Sequence, residues 1–286
     1  MRNVDEETIT QAVLASFAGC QDERLRILMT SLVQHLHSFV REVQFTESEW
    51  FAAIRFLTSA GHITDDRRQE FILLSDTLGM SMLVTALSSR KPKGCTESTV
   101  FGPFFVEGAP EYLNGADIAR GAKGEPCWVS GTVADLSGRP IADAVIDVWQ
   151  ADEAGFYDTQ YPDLFEPRAR GRLRSCADGT FRFKSIVASA YPIPHDGPVG
   201  KMLGATGRHP WRPAHLHFMI AAAGFKRLIT HVFRSDDQYL DSDAVFGVRC
   251  SLVADWERHP AGKAPDGSQS PVPFYTLDFN FVLDAV

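Results

Sequence analysis

The stretch HPWRPAHLHFMI, at 209–220, places His215 and His217 two residues apart. In an extended chain, residues two apart point to the same side, so the two imidazoles stand side by side. Such a pair is a solvated strand face, two core histidines bonded to backbone carbonyls, or two ligands of one metal ion. Imidazole is the commonest metal-binding side chain. The alternating neighbours Leu216, Phe218 and Ile220 argue for a buried strand, and buried imidazoles without partners are costly. The metal reading is therefore favoured. Arg212, just upstream, adds a cation at the rim. Two histidines do not complete a site, so further ligands must come from elsewhere in the chain.

The chain has six tyrosines. Tyr157 lies in ADEAGFYD just past an expected strand, and Tyr191 opens SAYPIPHDGPVG. On spacing alone both read equally well as packing or turn residues. A phenol near neutral pH is protonated. It ligates well only a hard, strongly polarising ion that stabilises the phenolate. A Tyr, Tyr, His, His set would therefore point to ferric iron rather than zinc.

Two kinds of element must position these residues. The first ~95 residues read as helices by apolar spacing. Leu25, Leu28, Leu32, Leu36, Phe39 and Val43 form one stripe. TESEWFAAIRFLTSAG follows, with Thr46 and Glu49 as a capping box and Gly61 as a stop. A third helix is expected from Asp66 to Ser88, apolar nearly all round. After Pro103, WVSGTVAD, DAVIDVWQA, TFRFKSIV, AHLHFMIA, RLITHVFR and FYTLDFNFVL are short and rich in β-branched and aromatic residues. Turns such as DLSGRP and ADGT separate them. The pattern predicts an all-β sandwich. One long irregular segment, SAYPIPHDGPVGKMLGATGRHPWRP, precedes the histidine strand, and loops of that length usually carry function. The expected class is α+β by content, with a helical part over 1–100 and a β-sandwich catalytic domain over 101–286.

Composition narrows the function. The 286 residues are 44% hydrophobic and 22% charged, an ordinary globular balance. The net charge of −8 argues against binding a nucleic-acid backbone. No apolar run approaches the ~18 residues of a membrane span. The acidic start MRNVDEETIT lacks the apolar core of a signal peptide. Cys20, Cys95, Cys127, Cys176 and Cys250 are scattered and form no C-x-x-C pair, so a reducing cytoplasm fits best.

Taken in order, TVFGPFFVEGAP, ADAVIDVWQADEAGFYD, DGTFRFKSI, YPIPHDGPVG and RPAHLHFMI make the chain resemble the intradiol ring-cleavage dioxygenases. The resemblance covers most of the chain. It implies a ferric ion held by Tyr157, Tyr191, His215 and His217, with Tyr191 as the displaceable base and Arg212 stabilising negative charge on the substrate ring. It also implies a homodimer joined through the N-terminal helices, whose apolar surface suits an interface or a bound lipid. Substrates would be a small aromatic diol or triol and O2. Pocket walls would come from Leu73, Asp76, Val100, Phe101, Gly102, Pro103, Phe104, Ile193, Pro194 and Val245. Within the family, the pattern is most like the branch that cleaves hydroxyquinol. His231 stands where catechol-cleaving relatives carry glutamine, and Asp76 stands where that branch has an acidic residue facing the substrate.

Other readings carry their own signatures. A cupin also uses H-x-H on a strand but adds a glutamate about four residues on, where this chain has Ala221. A zinc hydrolase would want a third ligand, which His231 could supply, and an open water position. A lipid- or partner-binding sandwich module would need no Tyr, Arg and His constellation. Catechol or chlorocatechol as substrate is the alternative within the family.

Overall fold

The computed structural model describes residues 2–65 and 68–286. Two compact units divide the chain, 1–59 and 60–286. In the first, α1 (Ile9–Ser16) lies against α2 (Glu23–Glu42), and α3 (Glu47–His62) leads out of it. Asp22 caps α2 by accepting the Leu25 N–H at 3.0 Å. The expected capping box starts α3: the Thr46 N–H donates to Glu49 at 2.9 Å and the Glu49 N–H to Thr46 at 3.3 Å. The α2 stripe from Leu25 to Val43 buries nothing completely; its six residues are each 48–52% exposed. Among the described residues, no single helix is long and apolar enough to cross a membrane.

The second unit opens with α4 (Glu70–Thr77) and α5 (Met80–Ser88). The sequence predicts one helix over 66–88. Its start at Asp66 lies outside the described residues, and the rest is two helices bent by 77°. The break is at Gly79, whose φ of 74° is a left-handed conformation that ends one helix and starts the next. The same glycine donates its N–H to the Asp76 carbonyl at 3.0 Å. The long segment before the histidine strand also holds an unexpected helix, α6 (Pro198–Ala205). Proline at its first position suits an N-terminus. The buried Glu70 carboxylate of α4 accepts the Val199 N–H at 3.0 Å, satisfying an otherwise unpaired donor.

The strands are β1 (Pro126–Asp135), β2 (Val145–Trp149), β3 (Arg170–Arg174), β4 (Thr180–Ile186), β5 (Tyr191–Pro192), β6 (Trp211–Arg212), β7 (His215–Ala221), β8 (Leu228–Arg234), β9 (Val253–Ala254), β10 (Glu257–His259), β11 (Gly262–Lys263), β12 (Gln269–Ser270), β13 (Phe274–Asp278) and β14 (Phe281–Leu283). One sheet has the order β10-β13-β1-β14, with β4 also on β1; the other runs β3-β2-β7-β8-β9. Val129, Val133, Phe181 and Phe183 of the first pack with Ile146, Val148, Leu216, Phe218, Ile220 and Val232 of the second. This is a sandwich core of alternating inward residues.

FYTLDFNFVL, expected as one strand, is the pair β13 and β14, both parallel to β1. Its interruption lies over Gly131, where the Phe279 N–H donates to the Ser130 carbonyl at 3.0 Å. A β-carbon built on Gly131 would sit 1.9 Å from the Phe279 oxygen, so only glycine fits under that chain crossing. Gly131→Ala is therefore expected to destabilise the sandwich by about 3 kcal/mol through overpacking. A urea titration that left the unfolding midpoint unchanged would contradict this account of the crossing.

Candidate active site

Strand β7 pairs with β8 so that His217 faces His231, and with β2 so that His217 faces Trp149. Leu216, Phe218 and Ile220 take the inner face into the core, which sends His215, His217 and, across the ladder, His231 and Trp149 to the outer face. Two further pieces cover that face. Tyr157 follows β2, and Tyr191 on β5 pairs with Arg212 on β6. All of these side chains are buried.

Four donor atoms converge there. Tyr157 Oη lies 2.9 Å from His217 Nε2 and 3.1 Å from Tyr191 Oη. His215 Nε2 is 3.1 Å from His217 Nε2. Arg212 Nη1 donates to Tyr191 Oη at 3.4 Å and to His215 Nε2 at 3.2 Å. The His215 Nδ1–H donates to the Pro213 carbonyl at 2.7 Å, which leaves the Nε2 lone pair facing the cluster. Burial, reinforced by Arg212, pushes the His215 imidazole down to about 3. Burial and the neighbouring His215 hold His217 well below the usual histidine range. Both rings are therefore neutral and able to ligate. Burial, then the adjacent Tyr191, raises the Tyr157 phenol well above its ordinary value. A cation among these atoms would reverse that by stabilising the phenolate.

Close packing fixes the donors. Phe104 stacks on Tyr157 at 4.4 Å and Trp149 on His217 at 4.6 Å. A β-carbon on Gly102, which has a φ of 78°, would sit 3.2 Å from the His217 ring. One on Gly155, at φ 81°, would meet Tyr191 at 2.9 Å. The Asp158–Arg170 ion pair, at 2.6 Å and buried on both sides, anchors the backbone beside Tyr157. Arg170 Nη2 also donates to the Phe104 carbonyl at 2.8 Å, joining the 101–105 segment to the tyrosine loop.

His231 forms a second layer. Its ring stacks on His215 at 4.6 Å and meets His217 edge-on at 4.1 Å. The three histidines offer nitrogens within 4.8 Å of one another. The Val100 backbone interacts with the His231 ring but not at hydrogen-bonding geometry, and neither ring nitrogen has a partner. Asp76 on α4 is buried and within electrostatic reach of Arg212 and Asp243; burial raises its carboxyl, and Ser81 partly offsets this. Leu73, Val100, Ile193 and Val245 are buried, Pro194 is half-buried, and Phe101 and Pro103 are exposed. Phe101 touches Trp149 edge-on at 5.9 Å. Leu73, Pro103, Ile193, Pro194 and Val245 make no polar or ring contact with the four donor atoms.

Residues 100–285 match the family described as Dioxygenase, and residues 22–96 match Catechol dioxygenase N terminus. The chain belongs to the intradiol ring-cleavage dioxygenase family. It is 58% identical to a 6-chlorohydroxyquinol 1,2-dioxygenase of Cupriavidus pinatubonensis, over 99% of both chains. It is 53% identical to a hydroxyquinol 1,2-dioxygenase of Nocardioides simplex, over 97% of this chain and 95% of that one. The crystal structure of a hydroxyquinol 1,2-dioxygenase from Pseudomonas putida superposes with a TM-score of 0.91 at 50% identity, covering 98% of this chain and 99% of that one.

An intradiol dioxygenase carries non-haem iron, and the donor set fits one. Ligands held ~2.1 Å from a single ion must lie within ~4.2 Å of one another, as the neighbouring donor atoms here do, at 2.9–3.1 Å. Sequence reasoning missed two residues of the site. Trp149 lies in the alternation of β2, where its role looks like ordinary packing. Asp243, in DSDAVFG, carries no local signal. It holds Arg212 through Nε at 3.1 Å and Nη2 at 3.3 Å, and accepts the Gly247 N–H at 2.8 Å. Burial alone would raise the Asp243 carboxyl, but Arg212 outweighs it and holds it below the usual carboxylate range.

Because its folded value is depressed, Asp243 contributes stability above the unfolded value of about 3.9 and loses it as pH falls through the lower folded one. Asp243→Asn should cost roughly 3–5 kcal/mol at neutral pH by stranding the buried guanidinium. The gap between mutant and wild-type urea midpoints should then narrow in acid. A gap that is constant from neutral pH down to strong acid would refute this assignment.

Proposed function

We propose that the chain cleaves hydroxyquinol (benzene-1,2,4-triol) between its two adjacent hydroxyl-bearing carbons. Both atoms of O2 are inserted, the C1–C2 bond breaks, and two protons are released. The product is 3-hydroxy-cis,cis-muconate, the enol form of maleylacetate. The observation that carries the substrate is the near full-length identity to proteins named for hydroxyquinol and 6-chlorohydroxyquinol. Catechol is the second reading, favoured only by weaker likenesses such as the catechol 1,2-dioxygenase of Pseudomonas arvilla at 28% identity.

The proposed iron ligands are Tyr157, Tyr191, His215 and His217, and the proposed oxidation state is ferric. Two phenols among four closely spaced donors support that choice. The chemistry a ferric ion would supply at these four residues is Lewis-acid activation of the deprotonated substrate toward O2. Tyr191 Oη would accept a substrate proton. Arg212, held by Asp243, would present Nη1 to negative charge developing on the ring. Phe104 and Trp149 would keep water from the donor atoms. Asp76 and His231 would recognise the third hydroxyl, because a placed polar partner discriminates one hydroxyl far better than an apolar wall does. Leu73, Val100, Phe101, Gly102, Pro103, Ile193, Pro194 and Val245 would complete the pocket.

Iron-loaded protein should be red to burgundy and should prefer hydroxyquinol to catechol in kcat/KM. Asp76→Ala should lower kcat/KM for hydroxyquinol by about one to two orders of magnitude and change catechol little. Colourless, zinc-containing active protein would remove the ferric reading. A wild-type preference for catechol would remove the substrate, and equal losses on both substrates would make Asp76 structural.

The half-exposed stripe of α2 supports a homodimer through that helix, with a lipid at the same face, and the scattered, unpaired cysteines support a reducing cytoplasm as its setting. Light scattering at micromolar concentration should give a dimer, and Leu32→Glu with Leu36→Glu should give a monomer. A wild-type monomer would overturn the interface.

A further inference from the structure

A cavity of about 640 Å³ lies between the end of α5, the 89–98 segment and β14, away from the iron ligands. Arg90, Lys91, Lys93 and Arg249 line it. None of the four has an ion-pair partner among the described residues, although the chain as a whole is acidic, at −8. The lining holds one carboxylate, Glu97, and its oxygen accepts the Ser251 hydroxyl at 2.5 Å. The nearest further acid, Asp284, is held by Lys226 at 2.8 Å. Lys91 donates to the Thr96 carbonyl at 2.9 Å and keeps two N–H groups free for another acceptor. Ser89, Ser98 and Asn280 add polar groups to the walls. Four cations line one concavity with one committed carboxylate among them, which gives it a positive potential that favours an anion.

We propose that this cavity is a second, anion-binding site that takes a small dicarboxylate of the kind ring opening releases. The choice of ligand rests on the proposed reaction, whose product carries two new carboxylates. Cations from two separate segments, Arg90, Lys91 and Lys93 on one and Arg249 on the other, suit a ligand with more than one charge, and the volume is that of a small-molecule site. The cavity also borders the active site along the chain. Glu97 and Ser98 line it, the Thr99 N–H is pinned to the Ile229 carbonyl at 3.1 Å, and Gly102 lies against His217. A bound dicarboxylate that shifts the 97–98 backbone would be felt at the histidines, so product would slow turnover without competing for the substrate pocket.

Adipate, a stable six-carbon dicarboxylate, is the probe, titrated calorimetrically into the iron-loaded protein. Wild type should bind it in a salt-sensitive manner. Lys93→Gln with Arg249→Gln should weaken that binding by at least about tenfold. The same pair should leave turnover without adipate unchanged, because neither residue touches the iron ligands or the substrate pocket. Adipate should lower kcat in wild type at saturating substrate, and the double variant should escape this. The charge-preserving Lys93→Arg variant should bind adipate as wild type does, which separates lost charge from lost folding. Equal adipate affinity in wild type and double variant would overturn the site. Binding of inorganic phosphate or anionic phospholipid vesicles with no adipate binding would overturn the ligand class. The calorimetric readout needs no turnover, so it stands if hydroxyquinol proves to be the wrong substrate.

Discussion

Donor atoms brought this close in a dry pocket must either share protons or share a cation. His215 spends its one N–H on the Pro213 carbonyl, so its Nε2 faces the cluster as a bare lone pair, 3.1 Å from His217 Nε2. The two phenols hydrogen-bond at 3.1 Å, and the Tyr157 oxygen leans on His217 at 2.9 Å. A flexible chain would relieve this crowding by turning side chains to water. Here the side chains are fully buried, so relief would require moving backbone. Most features of the second unit serve to prevent that movement.

The sandwich does so through register. Strand β7 alternates Leu216, Phe218 and Ile220 into the core with His215 and His217 on the outer face. A slip of one residue would exchange the two sets and drive both imidazoles into hydrocarbon. The hydrophobic effect that holds the two sheets together thus also aims the two imidazoles. On the outer face, precision comes from close contact rather than burial of area. Gly155 leaves room for Tyr191 where a methyl group would collide, and Gly102 for His217 where one would be tight. The Arg170 guanidinium ties the Phe104 carbonyl to Asp158, so the ring over Tyr157 and the backbone beside Tyr157 are set by one side chain.

What could be read from the sequence was what local spacing encodes. The H-x-H pair, the strand alternation, the Thr46–Glu49 box and the α2 stripe depend on neighbours a few residues away, and each is found as expected. What escaped depends on partners far along the chain. Strand β3 reads as RGRLR, a surface-like run, yet Arg170 and Arg172 are neutralised by Asp158 and Asp147 from other segments. Helix α6 is eight residues inside a stretch rich in glycine and proline, started by a carboxylate 129 positions earlier. Asp243 has no local pattern, since its function is defined by Arg212, 31 positions away. The single helix expected over 66–88 failed for a different reason. An all-round apolar sequence has no periodicity that marks a bend, and Gly79 alone had to be weighed against it.

That bend matters to the chemistry. With α4 ended at Thr77, Asp76 is buried at the close of the helix, in reach of Arg212 and Asp243. One guanidinium then faces two carboxyl groups. Asp243 takes its Nε and Nη2 together with the N–H groups of Val245 and Gly247, and its carboxyl is held below the usual range. Asp76 receives far less: burial pushes its carboxyl up, and Ser81 and Arg212 only partly counter this. The two carboxyl groups are therefore shifted in opposite directions, Asp243 down by the arginine and Asp76 up by burial. Environment alone thus separates two carboxyl groups that share one guanidinium: desolvation dominates where donors are few, and charge-assisted hydrogen bonds dominate where they are many.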